Sequence, residues 1–231
     1  MKTTLTTWTK TTRARTAVRV STALVGMCLA ATLTGRSALA VETPVTTDTV
    51  RTPEAEAGNL VADAVRSALG ADIGFVPAAA FKPGASTPRP ATADQAATLV
   101  DPSTDTLSLL NLRGDQIIAA LERSVSFEPQ PSSGFLQISG LRFTFDLRKE
   151  GGKRVSAVSV NGQPLDASRS YKVATTKPLA HGQQGYFQIW DKSDIASDST
   201  KTLDTAIKDF VKSKGGAVIP ARDTRITEAA K

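Results

Sequence analysis

The chain has 231 residues, with 28 Lys and Arg against 22 Asp and Glu, one histidine and one cysteine. Lys2, Lys10, Arg13, Arg15, Arg19 and Arg36 all precede residue 41 with no acid among them; taking these six from 28 leaves 22 positive against 22 negative charges beyond it, so the remainder gives no ground for nucleic-acid or anionic-membrane binding. Cys28 lies in the same stretch, which leaves residues 41–231 without a thiol for a disulfide, a thiolate metal site or a nucleophile.

In chain order, the basic block, an apolar run over residues 23–31 and the ending Ser37-Ala38-Leu39-Ala40 follow the pattern of a secretory signal cleaved after Ala40. Export to the periplasm or the medium is therefore expected, with no membrane segment after cleavage. Residues 41–50, rich in Thr and Val, read as a linker or an entering strand, and the folded domain is expected over residues 51–231. Val61, Ala64, Val65, Ala68 and Leu69 fall at helical spacing, with Asn59 as N-cap and Gly70 as C-cap. A short buried strand over 73–76 ends at Pro77, and residues 82–92, with three prolines and Gly84, read as a surface loop.

A second helix is predicted over 93–99, a strand over 106–112, and a third helix opening at Gly114-Asp115 with Ile117, Ile118, Leu121 and Val125 on one face. Residues 127–133 read as loop. In GFLQISGLRFTF, residues 134–145, Leu136 and Ile138 and then Leu141, Phe143 and Phe145 alternate with a period of two, which predicts a hairpin hinged at Gly140. Strands over 155–160 and 171–175 follow, with Asn161-Gly162 between them as a tight-turn signal. Leu203, Ile207, Phe210 and Val211 mark a last helix before Gly215-Gly216, and a short strand is expected near Ile226. The pattern predicts an α+β fold: a single mixed α/β domain with β-hairpins and about four helices.

A dinuclear hydrolytic centre draws on several His and carboxylate ligands, and a nucleophilic triad on a His beside Ser or Cys. His181 is the sole histidine, and the acids are scattered singly, so the residues indicate no catalytic set, no metal site and no cofactor. Gly151-Gly152 beside Lys153 reads as a turn, not as a phosphate-cradling loop.

The segments Arg51-Thr-Pro-Glu54, Gly58-Asn59-Leu60 with Asp63, Leu112-Arg-Gly114 with Leu121-Glu122, Phe135-Leu-Gln-Ile-Ser-Gly140, Arg154-Val155 and Tyr171-Lys-Val-Ala-Thr175 occur in an order that resembles the C-terminal domain of the 5′-nucleotidase family, over residues 48–226. The resemblance implies a substrate-binding domain whose catalytic metals belong to a separate N-terminal metallophosphoesterase domain, which this sequence does not contain. It also implies departures in the pocket. Where the family has Asn-Gly-Gly-Gly-Ile-Arg, this chain has Pro77-Ala-Ala-Ala-Phe-Lys82; the two phenylalanines that sandwich the base align with Ser103 and Pro178; and Gly-Gly-Asp-Gly becomes Gly182-Gln183-Gln184-Gly185.

By this resemblance a ligand pocket would be lined by Arg51, Lys82, Ser103, His181, Gln184 and Tyr186. Three readings follow from it. The first is an exported binding module for a nucleotide- or sugar-like small molecule, with a degenerate nucleoside clamp and no hydrolysis of its own. The second is a substrate-binding subunit that completes a separate metallophosphoesterase in nucleotide catabolism, and the third is a nucleotide hydrolase as the family name implies.

Overall fold

The structure, a computed structural model, describes residues 43–230. The basic block, the apolar run and the cleavage signal lie outside the described residues. Strands and helices are numbered in chain order. A five-stranded sheet is ordered β11 (Ile195–Thr202), β5 (Thr106–Arg113), β10 (Ser170–Thr176), β2 (Ile73–Pro77) and β6 (Leu136–Ser139). Only β10 and β2 run parallel within it. A second sheet is ordered β13 (Ile226–Glu228), β7 (Leu141–Phe145), β8 (Val155–Val160) and β9 (Gln163–Pro164). Two small ribbons pair β1 (Val45–Thr46) with β3 (Ser86–Thr87) and β4 (Ala91–Thr92) with β12 (Ala217–Val218).

Helix α1 (Glu56–Ala68) turns Ala57, Leu60, Val61, Ala64 and Val65 inward and packs on β2, β6 and β10. It also packs against β1 and α5 (Leu203–Ser213), and α5 in turn meets α2 (Ala93–Ala97). Helix α3 (Gly114–Ser124) contacts β5 and β8, and α4 (Lys177–Ala180) is a single turn after β10. The core is centred on the inner strands, where Ile73, Phe75, Val76, Leu110, Val173 and Ala174 are fully buried. No helix among the described residues is long and apolar enough to cross a membrane. The α+β reading holds.

Several local expectations change. Residues 134–145 contain two strands but not a hairpin: β6 pairs with β2, from Gly74↔Ser139 to Pro77↔Leu136, while β7 pairs with β8 and β13. Gly140, at φ 73°, hands the chain from one sheet to the other, and a Cβ there would stand 2.2 Å from the Asp72 carbonyl oxygen. A period of two marks a strand's faces but carries no information about its partner. The Asn161-Gly162 turn likewise joins β8 to the short β9, and β10 enters the other sheet.

Of the two readings of residues 41–50, a linker or an entering strand, the described part takes the strand, β1. Val45 and Val50 are in the core, and the Thr47 hydroxyl donates to the Lys82 carbonyl at 2.7 Å. Residues 82–92 include β3 and β4, with Thr87 and Ala91 buried. Helix α1 begins at Glu56 with Ala55 at its N-cap, which places Asn59 inside the helix. Strand β11 escapes sequence reading because IASDSTKT has no apolar alternation and none of its residues is fully buried.

Asn59 instead joins a polar network that binds the C-terminal strand to α1. Glu54, 4% exposed, accepts from Asn59 Nδ2 at 2.6 Å and from the backbone N–H groups of Asp223, Arg225 and Ile226 at 2.9, 2.7 and 3.2 Å. Arg225 forks onto Asp63 at 2.7 and 2.9 Å, and Ser139 Oγ donates to the same carboxylate. Gln137 clamps the segment leading into α1: its Nε2 donates to the Val50 and Pro53 carbonyls and its Oε1 accepts from Ala55 N at 3.1 Å. Gly58 makes room for that clamp, since a Cβ there would lie 2.1 Å from Gln137 Oε1. Glu122 accepts from Val155 N at 2.7 Å, and Arg154 donates to the Val125 carbonyl at 2.9 Å. Buried polar groups are stable only when so paired, and this explains the polar residues in an otherwise apolar frame.

Candidate functional site

The parallel strands β2 and β10 end at Pro77 and Thr176 on one edge of the five-stranded sheet, and antiparallel β5 starts there at Thr106. Three loops meet on that edge. Carboxyl ends of parallel strands are where chain reversals leave a crevice for ligands in open sheets. The Ala78–Ala80 turn after β2 is fixed by bonds from Ala78 N to Phe135 O and from Ala79 N to Ser133 O, both 2.8 Å. Those N–H groups face protein and are not available to a ligand. The chain continues to exposed Lys82, whose N–H donates to Leu99 O at 3.0 Å, while Asp101 N donates to Ala80 O at 2.9 Å.

Lys82 and Ser103 line a common depression of about 380 Å³ together with Asp94, Thr98, Asp101 and Lys208. Its lining is charged, hydroxylated and aliphatic, with no aromatic ring. Lys208 bridges Asp94 and Asp204, each at 3.1 Å. These carboxylates hold the Lys208 ammonium above its ordinary pKa, through the hydrogen bond to Asp204 first and that to Asp94 second.

His181 lies at the neighbouring depression of about 300 Å³, with Thr104, Asp105, Lys177, Pro178 and Gln183. Behind them Asp198 of β11 accepts from Ser108 Oγ at 2.5 Å and Lys177 Nζ at 2.9 Å, with His181 Nε2 at 3.4 Å. The Ser108 and Lys177 hydrogen bonds pull the Asp198 carboxyl down to about 2. Burial pushes Asp105 in the opposite direction. The Lys177–Asp198–His181 group offers a cation and an imidazole at the rim. Among the described residues no group of three or more His, Cys, Asp or Glu is placed to hold a metal ion.

The structure thus brings Lys82 and Ser103 together and sets His181 next to them through Thr104. Gln184 is held back from the loop edge: its Oε1 accepts from Ser133 Oγ and its carbonyl from Arg123 Nη2, both at 2.7 Å. Arg51 reaches the same neighbourhood by its backbone, accepting from Ser132 N at 2.9 Å. Tyr186 is a core residue, fully buried, stacked on Trp190 at 4.9 Å and donating to the Gly134 carbonyl at 2.8 Å, so it presents no face to a ligand. The exposed aromatic in that segment is Phe187, 67% exposed, at a third hollow beside His181. Asp198 and Lys177 were not legible as a pair, because the strand that carries Asp198 lacked a strand pattern.

The family model for the 5′-nucleotidase C-terminal domain matches residues 30–191. The chain belongs to the 5′-nucleotidase C-terminal domain family. It is 33% identical over 142 residues to the snake venom 5′-nucleotidase of Naja atra, covering 58% of this chain and 26% of that protein. With the trifunctional nucleotide phosphoesterase YfkN of Bacillus subtilis (strain 168) the identity is 28% over 188 residues, 78% of this chain and 13% of that protein. The fold superimposes on the crystal structure of a 5′-nucleotidase precursor from Thermus thermophilus with a TM-score of 0.70 at 25% identity, over 82% of this chain and 38% of that one. The chain therefore spans about a quarter of the length of the first curated relative. Within this family frame, the motif residues Glu54, Gly58, Asn59, Asp63, Glu122, Gln137 and Ser139 all belong to the polar scaffold, and none lines the Lys82 or His181 depressions.

Proposed function

We propose that this chain is an exported ligand-binding module of the 5′-nucleotidase C-terminal domain family, which takes a small polar ligand, phosphorylated or sugar-like, without stacking a nucleobase. The observation that carries the reading is the aromatic-free lining of the Lys82–Ser103 depression, with Ser103 and Pro178 at the two positions that the resemblance assigns to base-sandwiching phenylalanines. Stacking is worth about 1–3 kcal/mol per base, so loss of both rings removes most of the affinity for a nucleoside. What remains is Lys82 and His181 for anionic or hydroxylated groups. Among the described residues no side chains are grouped to hold a hydrolytic metal centre, and the single histidine lies 3.4 Å from Asp198.

The test is a thermal-shift series with adenosine, AMP, UDP-glucose and free sugars on the unmodified protein and on a Ser103→Phe, Pro178→Phe double variant. Occupancy at 100 times Kd stabilises a fold by about 2.7 kcal/mol, enough to raise Tm by several degrees. Adenosine is expected to leave the unmodified protein unshifted and to shift the double variant. A clear adenosine shift on the unmodified protein would defeat the reading and direct attention to Phe187. N-terminal sequencing of exported material tests the other half, with Val41 as the expected first residue.

A second reading rests on coverage. The Naja atra relative carries about three-quarters of its length outside the match, so the module would complete a partner that contributes the metals. Phosphate release from AMP with manganese is expected to be absent for this chain alone and to appear on mixing with such a partner.

A further inference from the structure

At the opposite end of β2 from the Lys82 loop, where Gly74 pairs with Ser139, a cleft of about 260 Å³ opens beside Gly140. Arg66, Arg142 and Arg225 line it with Asp63 and Asp223, three positive charges against two negative ones. Both aspartates are already engaged by Arg225, at 2.7 Å to Asp63 and 2.6 Å to Asp223. Arg142 donates to the backbone carbonyls of Asp223 and Thr224.

Arg66 is different. It leaves the last turn of α1, runs over Gly140 so closely that a Cβ there would meet its Cδ at 3.0 Å and its Nη1 at 3.2 Å, and its Nε is buried with no hydrogen-bond partner. None of its donors has an acceptor among the described residues. Ser159 and Asn161 line the same cleft. A guanidinium is ionised at any physiological pH and calls for acceptors, and the Nη groups, which unlike Nε are not buried, are the donors a ligand in the cleft can reach. The planar fork fits two oxygens of a tetrahedral oxyanion, and a hydroxyl and an amide can supply further donors.

We propose that the Arg66 cleft is a binding site for a small dianionic oxyanion of the phosphate or sulfate class, free or as the head of a monoester. Gly140 is then required twice, once to hand the chain between sheets and once to let Arg66 lie across it.

The test is a two-dimensional amide NMR titration of the purified chain with sodium phosphate, sodium sulfate and glycerol phosphate, at ionic strength held constant with chloride. Saturable shifts are expected at Gly140, Asn161 and Gly162. Arg66→Gln and Asn161→Asp should each weaken binding at least about tenfold, with Arg66→Lys intermediate because it keeps the charge and loses the fork. Asn161 is exposed and at φ 49°, a conformation Asp also tolerates, so that variant reports on the cleft even if Arg66→Gln disturbs α1. Tighter binding of glycerol phosphate than of phosphate identifies a monoester head as the occupant; equal binding identifies the free ion. No saturable shift, shifts centred on Lys82 and Ser103, or unchanged affinity in both variants would overturn the assignment. The last two patterns leave the Lys82 reading intact, so the two proposals fail separately.

Discussion

On the flank where α1 and β6 receive the C-terminal strand, polar side chains are buried and bonded: Glu54 accepts from four donors, Arg225 forks onto Asp63, and Gln137 is satisfied on both sides of its amide. On the loop edge beyond Pro77 and Thr176, Lys82, Lys177 and His181 are exposed, and Ser103 is half-buried. The motifs around Glu54, from Gly58 to Asp63 and from Phe135 to Gly140 fall on the first region, and the departures at Pro77-Ala-Ala-Ala-Phe-Lys82, Ser103, Pro178 and Gln183 fall on the second, with Gln184 held back behind it. A ligand face can therefore change its chemistry while the scaffold keeps its own, because Glu54, Asn59, Asp63, Gln137 and Arg225 line neither the Lys82 nor the His181 depression.

The largest effect that separates the regions is expected for Glu54→Ala. It strips one acceptor from Asn59 and the side-chain acceptor from three backbone N–H groups at once, and removing one member of such a buried charged network costs about 3–5 kcal/mol. Urea unfolding should show the loss with little change in m. A cost below about 1 kcal/mol would mean that the C-terminal strand is not held this way.

Gly58→Ala should come next. The gain in helix propensity, about 1 kcal/mol, is outweighed by displacing Gln137 from its bonds to Val50, Pro53 and Ala55, for a net loss of about 2 kcal/mol. Adding Gln137→Ala to this variant should cost less than it does in the unmodified chain, because the two changes act on one clamp.

Glu128 gives the contrast within a single residue type. Unlike Glu54, it has one carboxylate oxygen buried without a partner, and burial first, then repulsion from Glu228, push its pKa up to about 7. The folded state then holds a proton that the unfolded chain releases near 4.5, so stability contributed by protonated Glu128 is full below 4.5 and is lost as pH rises toward 7. Half-exposure screens the effect. Melting curves of Glu128→Gln should be flatter than those of the unmodified protein across this window, with a higher Tm at neutral pH. An identical pH profile would show that the carboxyl is solvated.

The smallest effects belong to the loop edge. Lys82→Ala and Ser103→Ala should each change stability by less than about 0.5 kcal/mol, since neither side chain anchors a buried group. If either destabilises as Gly58→Ala does, the separation of scaffold from ligand face is false.

Residue spacing alone located α1, α3, α5 and most of the long strands, because each buries one face and the burial is written into a period of 3.6 or 2. It also showed a charge-balanced chain beyond residue 40 with no thiol there and one histidine. Which strand joins which sheet lay beyond it. Leu136 and Leu141 are neighbours in sequence and belong to different sheets, while Asn59 reads as a cap until Glu54 and the Ala221 carbonyl claim its amide. Tyr186 and Phe187 are adjacent aromatics, one sealed in the core and the other exposed, a distinction made by Gly134 and Trp190. The local pattern fixes which face of an element is apolar. Partners are chosen by contacts such as Glu54 to Arg225, 171 residues apart, whose free energy exists only once the chain has closed around them.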